Sequence, residues 1–219
     1  MALAISHTDT KPRLRGLLHL AAFPTAIIAG LVLIATAPTL TGRLATAVYV
    51  ATSAALFGIS AVYHRTNLSE AATTRLKRLD HANIYLIIAG TYTPIAAVAL
   101  DGTTRTALLA AIWTGALAGV AFRILWLSAP RWLYTVLYIA LGWAALFVMP
   151  QLLAGAETAA TVLIIAGGVL YTAGGVIYAL KRPNPSVQWF GFHEVFHAFT
   201  VAAYAAQFVA VALVLHVAH

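Results

Sequence analysis

Seven stretches of about 20 mostly apolar residues follow one another with only short breaks between them, and each is long enough to cross the hydrocarbon core of a bilayer. They fall at residues 17–37, 44–63, 81–100, 106–127, 132–150, 159–180 and 190–216. The breaks hold prolines, glycines and charges, and the longest is the basic loop from Arg65 to Asp80. Only 9% of residues are charged, against roughly 25% in a soluble domain, so this chain cannot coat itself with polar surface and must take lipid as its solvent. The fold expected is all-α: one seven-helix transmembrane domain spanning residues 1–219, with residues 1–16 as a short tail.

The charges that remain set the orientation. Lys11, Arg13 and Arg15 precede span one. Arg65, Arg75, Lys77 and Arg78 lie between spans two and three, Arg123 and Arg131 flank the fourth connection, and Lys181 and Arg182 the sixth. Those eleven basic residues fall on one side, and only Arg43 and Arg105 on the other. Basic residues collect in cytoplasmic loops, which predicts a cytoplasmic N-terminus, an external C-terminus and a multi-pass protein of the cell membrane. The net charge of +7 is thus topological, and nucleic acid is not an expected partner. The first apolar stretch is too long for a cleaved signal, whose apolar core runs about 7–15 residues. Gly115 and Gly119 in span four, and Gly167, Gly168, Gly174 and Gly175 in span six, mark candidate close approaches between helices.

Ionisable residues inside spans are costly and are functional candidates by default. His64 ends span two, Asp80 and His81 open span three, and His193 and His197 occupy the first turns of span seven. With the helices alternating in direction, all of these reach one membrane face. His193 and His197 are spaced i, i+4 and share a helix face. With no cysteine in the chain, a metal has to be held by His, Asp or Glu, and His64 can supply a third imidazole. Three neutral imidazoles leave one position of tetrahedral zinc open, as in catalytic sites, and zinc lowers the pKa of water to about 7. Asp80 is then suited to orient or deprotonate that water, and Ser60, one turn from His64, to hydrogen-bond near it. His19 and His81 read as interfacial rather than as ligands. His216 and His219 lie at the opposite end of the last span. Glu194 completes an H-E-x-x-H pattern with His193 and His197, the signature in which a glutamate serves as general base of a metalloprotease.

At these residues the chain resembles the hemolysin III family, within the wider progestin and adipoQ receptor superfamily. The segments that carry the likeness are Ser60-Ala-Val-Tyr-His64, the run from Arg78 through Asp80 to Pro94, and His193-Glu-Val-Phe-His197. The resemblance implies seven helices, a cytoplasmic N-terminus, and Zn2+ near the inner leaflet held by His64, His193 and His197, with Asp80 and Ser60 beside it. It also implies kinship with membrane ceramidases. One departure is visible: relatives often carry an acidic residue and an asparagine before the histidine of span one, whereas Pro12 and Arg15 stand there ahead of His19.

The function expected is therefore zinc-dependent hydrolysis of an amide-linked membrane lipid. The alternatives are a sensor, receptor-like or transport protein braced by zinc, an intramembrane H-E-x-x-H protease, and a cytolysin, the last disfavoured because the whole chain reads as membrane-embedded.

Overall fold

A computed structural model describes residues 11–217; the tail positions 1–10 and the last two residues, Ala218 and His219, lie outside the described residues. Among the described residues the chain is helical, with eight α-helices and one 3-10 turn: α1 (Leu17–Thr36), α2 (Leu40–Arg65), α3 (Glu70–Ala99), α4 (Gly102–Leu125), α5 (Arg131–Gly142), the 3-10 turn (Trp143–Val148), α6 (Met149–Gly155), α7 (Thr158–Leu180) and α8 (Phe192–Val217). Seven of the resulting segments are long and apolar enough to cross a membrane, with α5, the 3-10 turn and α6 together forming the fifth. The protein is a multi-pass membrane bundle.

Local chemistry explains where the helices start. Thr39 accepts a hydrogen bond from the Gly42 amide at the head of α2, and Ser69 accepts one from Ala72 at the head of α3, each satisfying an amide the helix leaves free. Glu194 accepts from the Gly191 amide at 2.7 Å, the carboxylate half of a capping box at the head of α8.

Helix α3 begins at Glu70, eleven residues before the expected start of span three. Ser69 caps it, and most of the basic segment read as a loop is a polar helical extension of α3. Asp80 and His81 therefore sit about three turns into a continuous helix rather than at its beginning. Span five departs further. The expected single helix over residues 132–150 is interrupted by the 3-10 turn, and α6 then continues to Gly155. Pro150 lies in the first turn of α6, where its missing N–H costs nothing. Backbone groups freed by such a break need partners in lipid, and Tyr92 of α3 supplies them. Its hydroxyl donates to Gly142 O at 2.8 Å and accepts from Ala145 N at 2.7 Å.

Helix α3 is the most enclosed span and packs against α2, α4, α5 and α8, while α7 lies along α8 and α1 along α2. The glycines singled out in span four are close approaches: a Cβ on Gly119 would collide with the Tyr85 ring of α3, and one on Gly115 would meet Leu141 of α5 at 2.9 Å. Span six behaves likewise, with Gly174 against Phe199 of α8.

Candidate metal centre and cavity

The i, i+4 pair His193 and His197 projects from α8 toward α2, where His64 meets it. All three side chains are buried, and one nitrogen from each lies within 4.8 Å of the others. His64 Nε2 and His193 Nε2 are 3.2 Å apart. Zinc–imidazole bonds of 2.0–2.1 Å in a tetrahedron separate two ligand nitrogens by about 3.3 Å, so this pair already has the spacing that a shared ion would impose. His197 Nδ1 is buried without a hydrogen-bond partner among the described residues. A set of three imidazoles with an unengaged nitrogen fits a borderline-soft divalent ion.

Around this trio the helices place further polar groups. His19 of α1 is buried, and its ring stacks on His197 with centroids 3.7 Å apart and planes 9° from parallel. Its Nδ1 lies 2.8 Å from Ser60 Oγ, and Ser60 and Asp80 line the same cavity. Asp80 also approaches His81, at 3.5 Å. His81 is buried and held by Lys77 O at 2.9 Å and the Tyr178 hydroxyl at 3.0 Å. The expectation that His19 and His81 are interfacial is therefore corrected. Both are interior, because α1 packs over the head of α8 and α3 starts early enough to carry His81 inside the bundle. Neither belongs to the three-histidine cluster.

Glu194 is turned to other work. Its carboxylate is buried and forms an ion pair with Arg15, besides accepting from the Gly191 amide. This pair belongs to a strap over the same end of the bundle. Arg13 N donates to Gln188 O at 2.9 Å and Leu14 N to Trp189 O at 3.2 Å, and the Arg13 guanidinium lies 4.6 Å from the Trp189 ring centroid. The strap turns into α1 at Gly16, whose φ of 78° suits a residue without a Cβ. A Cβ there would also collide with His64, so the strap lies directly on the cluster.

From the histidines a cavity runs into the bundle. His19, Ser60, Asp80, His81, His193 and His197 line one end. Beyond them the walls are mainly apolar side chains of α3, α5, α7 and α8, ending near Ile95, Leu152 and Gln207. The cavity volume is about 150 Å³, and the stretch of α8 from His193 to Gln207 that runs along it is roughly 20 Å long. The 3-10 turn of span five contributes Trp143 and Ala145 to the wall. His216, at the far end of α8, is exposed and among the described residues bonds the carbonyl of Ala212, at 2.9 Å.

The features missed in the sequence are His19 and the break in span five. The signal for His19 is its place in the first turn of span one, at the same end of the bundle as His64, His193 and His197.

Comparison with known proteins agrees with this architecture. Residues 7–208 match the family described as haemolysin-III related. The hemolysin-3 homolog of Bacillus subtilis (strain 168) is 31% identical over 160 residues, which cover 70% of this chain and 72% of that protein. The hemolysin-3 of Bacillus cereus is 32% identical over 130 residues, covering 59% and 57% respectively. A match that spans all seven membrane segments except the end of α8, with two relatives pointing the same way, establishes that this chain belongs to the haemolysin-III-related family.

Proposed function

We propose that this protein is a zinc-dependent hydrolase of an amide-linked membrane lipid, with its N-terminus cytoplasmic and its site near the inner leaflet of the cell membrane. The observation that carries the reading is the junction of two unlike environments: a three-imidazole cluster opening onto one end of a long apolar cavity. An apolar pocket with a few convergent polar groups is the usual form of a small-molecule site, and a cavity about 20 Å long accepts an extended hydrocarbon chain rather than a compact polar solute.

His64, His193 and His197 would hold the ion. When bound, zinc would supply the Lewis acidity that polarises a carbonyl and makes water acidic near neutral pH. The chain's own residues do the rest. The apolar walls hold the lipid tail and set its reactive bond at the polar end. Asp80, lining the cavity with Ser60, takes the proton from the attacking water and returns it to the departing amine. Ser60 orients the Asp80 carboxylate. The strap formed by Arg13, Leu14 and the segment 186–191 covers the cluster from the aqueous side, which limits bulk water there.

The engagement of Glu194 by Arg15 and by the Gly191 amide argues against its serving as the base of an H-E-x-x-H protease. The remaining competitor is a sensor or transporter in which the ion braces α2 against α8. Purified protein incubated with long-chain lipid amides separates the two: release of fatty acid dependent on zinc is expected, and intact substrate beside a fully loaded metal site would favour the brace. Orientation is tested separately, by reporter fusions expected to place the Arg65–Arg78 segment inside the cell.

A further inference from the structure

We infer that the strap over the histidine cluster is the gate through which the metal ion enters and leaves, and that the Arg15–Glu194 ion pair is its latch. The inference rests on the metal site of the reading above and is independent of whether the protein hydrolyses anything.

His64, His193 and His197 are 5%, 9% and 2% exposed. An ion held by them is out of reach of water unless part of the protein moves. Two routes lead away from the cluster. One runs along the cavity, whose walls beyond the polar end are mainly apolar. A divalent ion there would lose its hydration and gain no ligands in return, which is costly. The other passes the strap. Lys11, Arg13, Asn184 and Gln188 are exposed on its outer side. On its inner side a Cβ at Gly16 would collide with His64 Cβ. Lifting the strap therefore opens a short path from water to the first ligand.

The strap is fastened by contacts of unequal strength. Arg13 N and Leu14 N donate to Gln188 O and Trp189 O, and Arg65 at the end of α2 donates to Arg13 O at 3.3 Å. Bonds of this kind at an exposed surface exchange readily with water, so each adds little net stability. The Arg15–Glu194 pair differs, because Glu194 is 1% exposed and its carboxylate also accepts from the Gly191 amide. Charge-assisted bonds to a buried carboxylate are the strong ones. Glu194 follows His193 directly on α8, so the latch is anchored in the same turn of helix as the ligands it encloses.

A short segment held this way opens locally without unfolding of the bundle. If the ion leaves only from the open form, its release rate follows the population of that form. Weakening the latch raises that population, and tying the strap down lowers it. The equilibrium zinc content changes little in either case, because Arg15 and Glu194 do not belong to the three-histidine cluster.

The test uses zinc-loaded, detergent-solubilised full-length protein. Zinc content is measured first, and then the rate at which zinc appears on an excess of a colorimetric chelator. Glu194→Gln keeps an oxygen for the Gly191 amide and removes the charge; Arg15→Gln removes the other partner. Both are expected to start with wild-type zinc and to release it at least about tenfold faster, the worth of one charge-assisted bond. The double variant should be no faster than the faster single one, and Arg15→Lys should stay within about threefold of the wild type. The chain has no cysteine, so Leu14→Cys/Trp189→Cys can be joined selectively by a short bifunctional thiol reagent. Joining should slow release at least about tenfold relative to the same protein unjoined.

Release at the same rate in joined and unjoined protein would overturn the inference and make the cavity the route. Wild-type release rates in both latch variants would overturn it as well. A lowered zinc content in freshly loaded Glu194→Gln would make Glu194 a support of the site rather than part of a gate, with the same consequence. A wild type that takes up no zinc overturns the metal site itself, and the gate with it.

Discussion

His193 and His197 at one end of α8 and His216 at the other are the same residue type on the same helix, yet their surroundings have little in common. The first two are buried, face a third imidazole from α2, and open onto the cavity. His216 is exposed and turns back to its own helix. Helix propensity does not account for the contrast, since the helix is continuous, although at 100° per residue His216 also points about 100–140° away from the pair. What differs is convergence: α1, α2 and α3 all deliver polar side chains to the first end, through His19, Ser60, His64 and Asp80. A histidine in a membrane helix gains chemical potential when neighbouring helices meet it with further donors and acceptors, and the polar end of this bundle is where four helices do so.

The contrast can be broken most severely at Asp80. Asp80→Asn should retain zinc and lose hydrolytic turnover by at least about 100-fold, the usual contribution of a positioned acid–base group; turnover close to wild type in a steady-state assay would remove it from the proton's path. Next is Glu194, which shares the polar end but not the cavity chemistry. Glu194→Gln leaves Arg15 with a weakened partner and should cost up to about 3 kcal/mol of stability, seen as a lower unfolding temperature, while turnover stays within about tenfold of wild type. A stable but inactive Glu194→Gln, alongside an active Asp80→Asn, would restore the protease-type assignment.

A smaller effect is expected at Tyr92, away from the histidines. Tyr92→Phe removes the hydroxyl that joins Gly142 O and Ala145 N across the break in span five, and should destabilise the fold by about 1–2 kcal/mol without altering zinc content. Smallest of all, His216→Ala should leave zinc, turnover and unfolding temperature unchanged.

Much of this architecture can be read from the chain because lipid imposes strict rules. The seven spans follow from apolar length alone, and the His193–His197 pair from a four-residue spacing whose geometry is fixed by the helix. Legibility failed where tertiary partners decide. The sequence Trp143-Ala-Ala-Leu-Phe-Val148 carries no proline or glycine and reads as helix; its 3-10 geometry is stabilised by a tyrosine about 50 residues away. The start of α3 was obscured because Arg75, Lys77 and Arg78 look like loop charges, although a helix can project them into the interface as readily as a coil can. His19 is hard to read for a related reason: its neighbours in sequence are uninformative, and its partners are Ser60 and His197, which only folding brings alongside.

The central claim is that three histidines from two helices form one metal site. Its most direct test is the zinc content of purified wild-type protein beside the His193→Ala/His197→Ala double variant and the single variant His64→Ala, each verified as folded by circular dichroism. The account predicts about one zinc per chain in the wild type, near-complete loss in the double variant and a reduced content in His64→Ala. Folded double variant retaining the wild-type zinc content would contradict it.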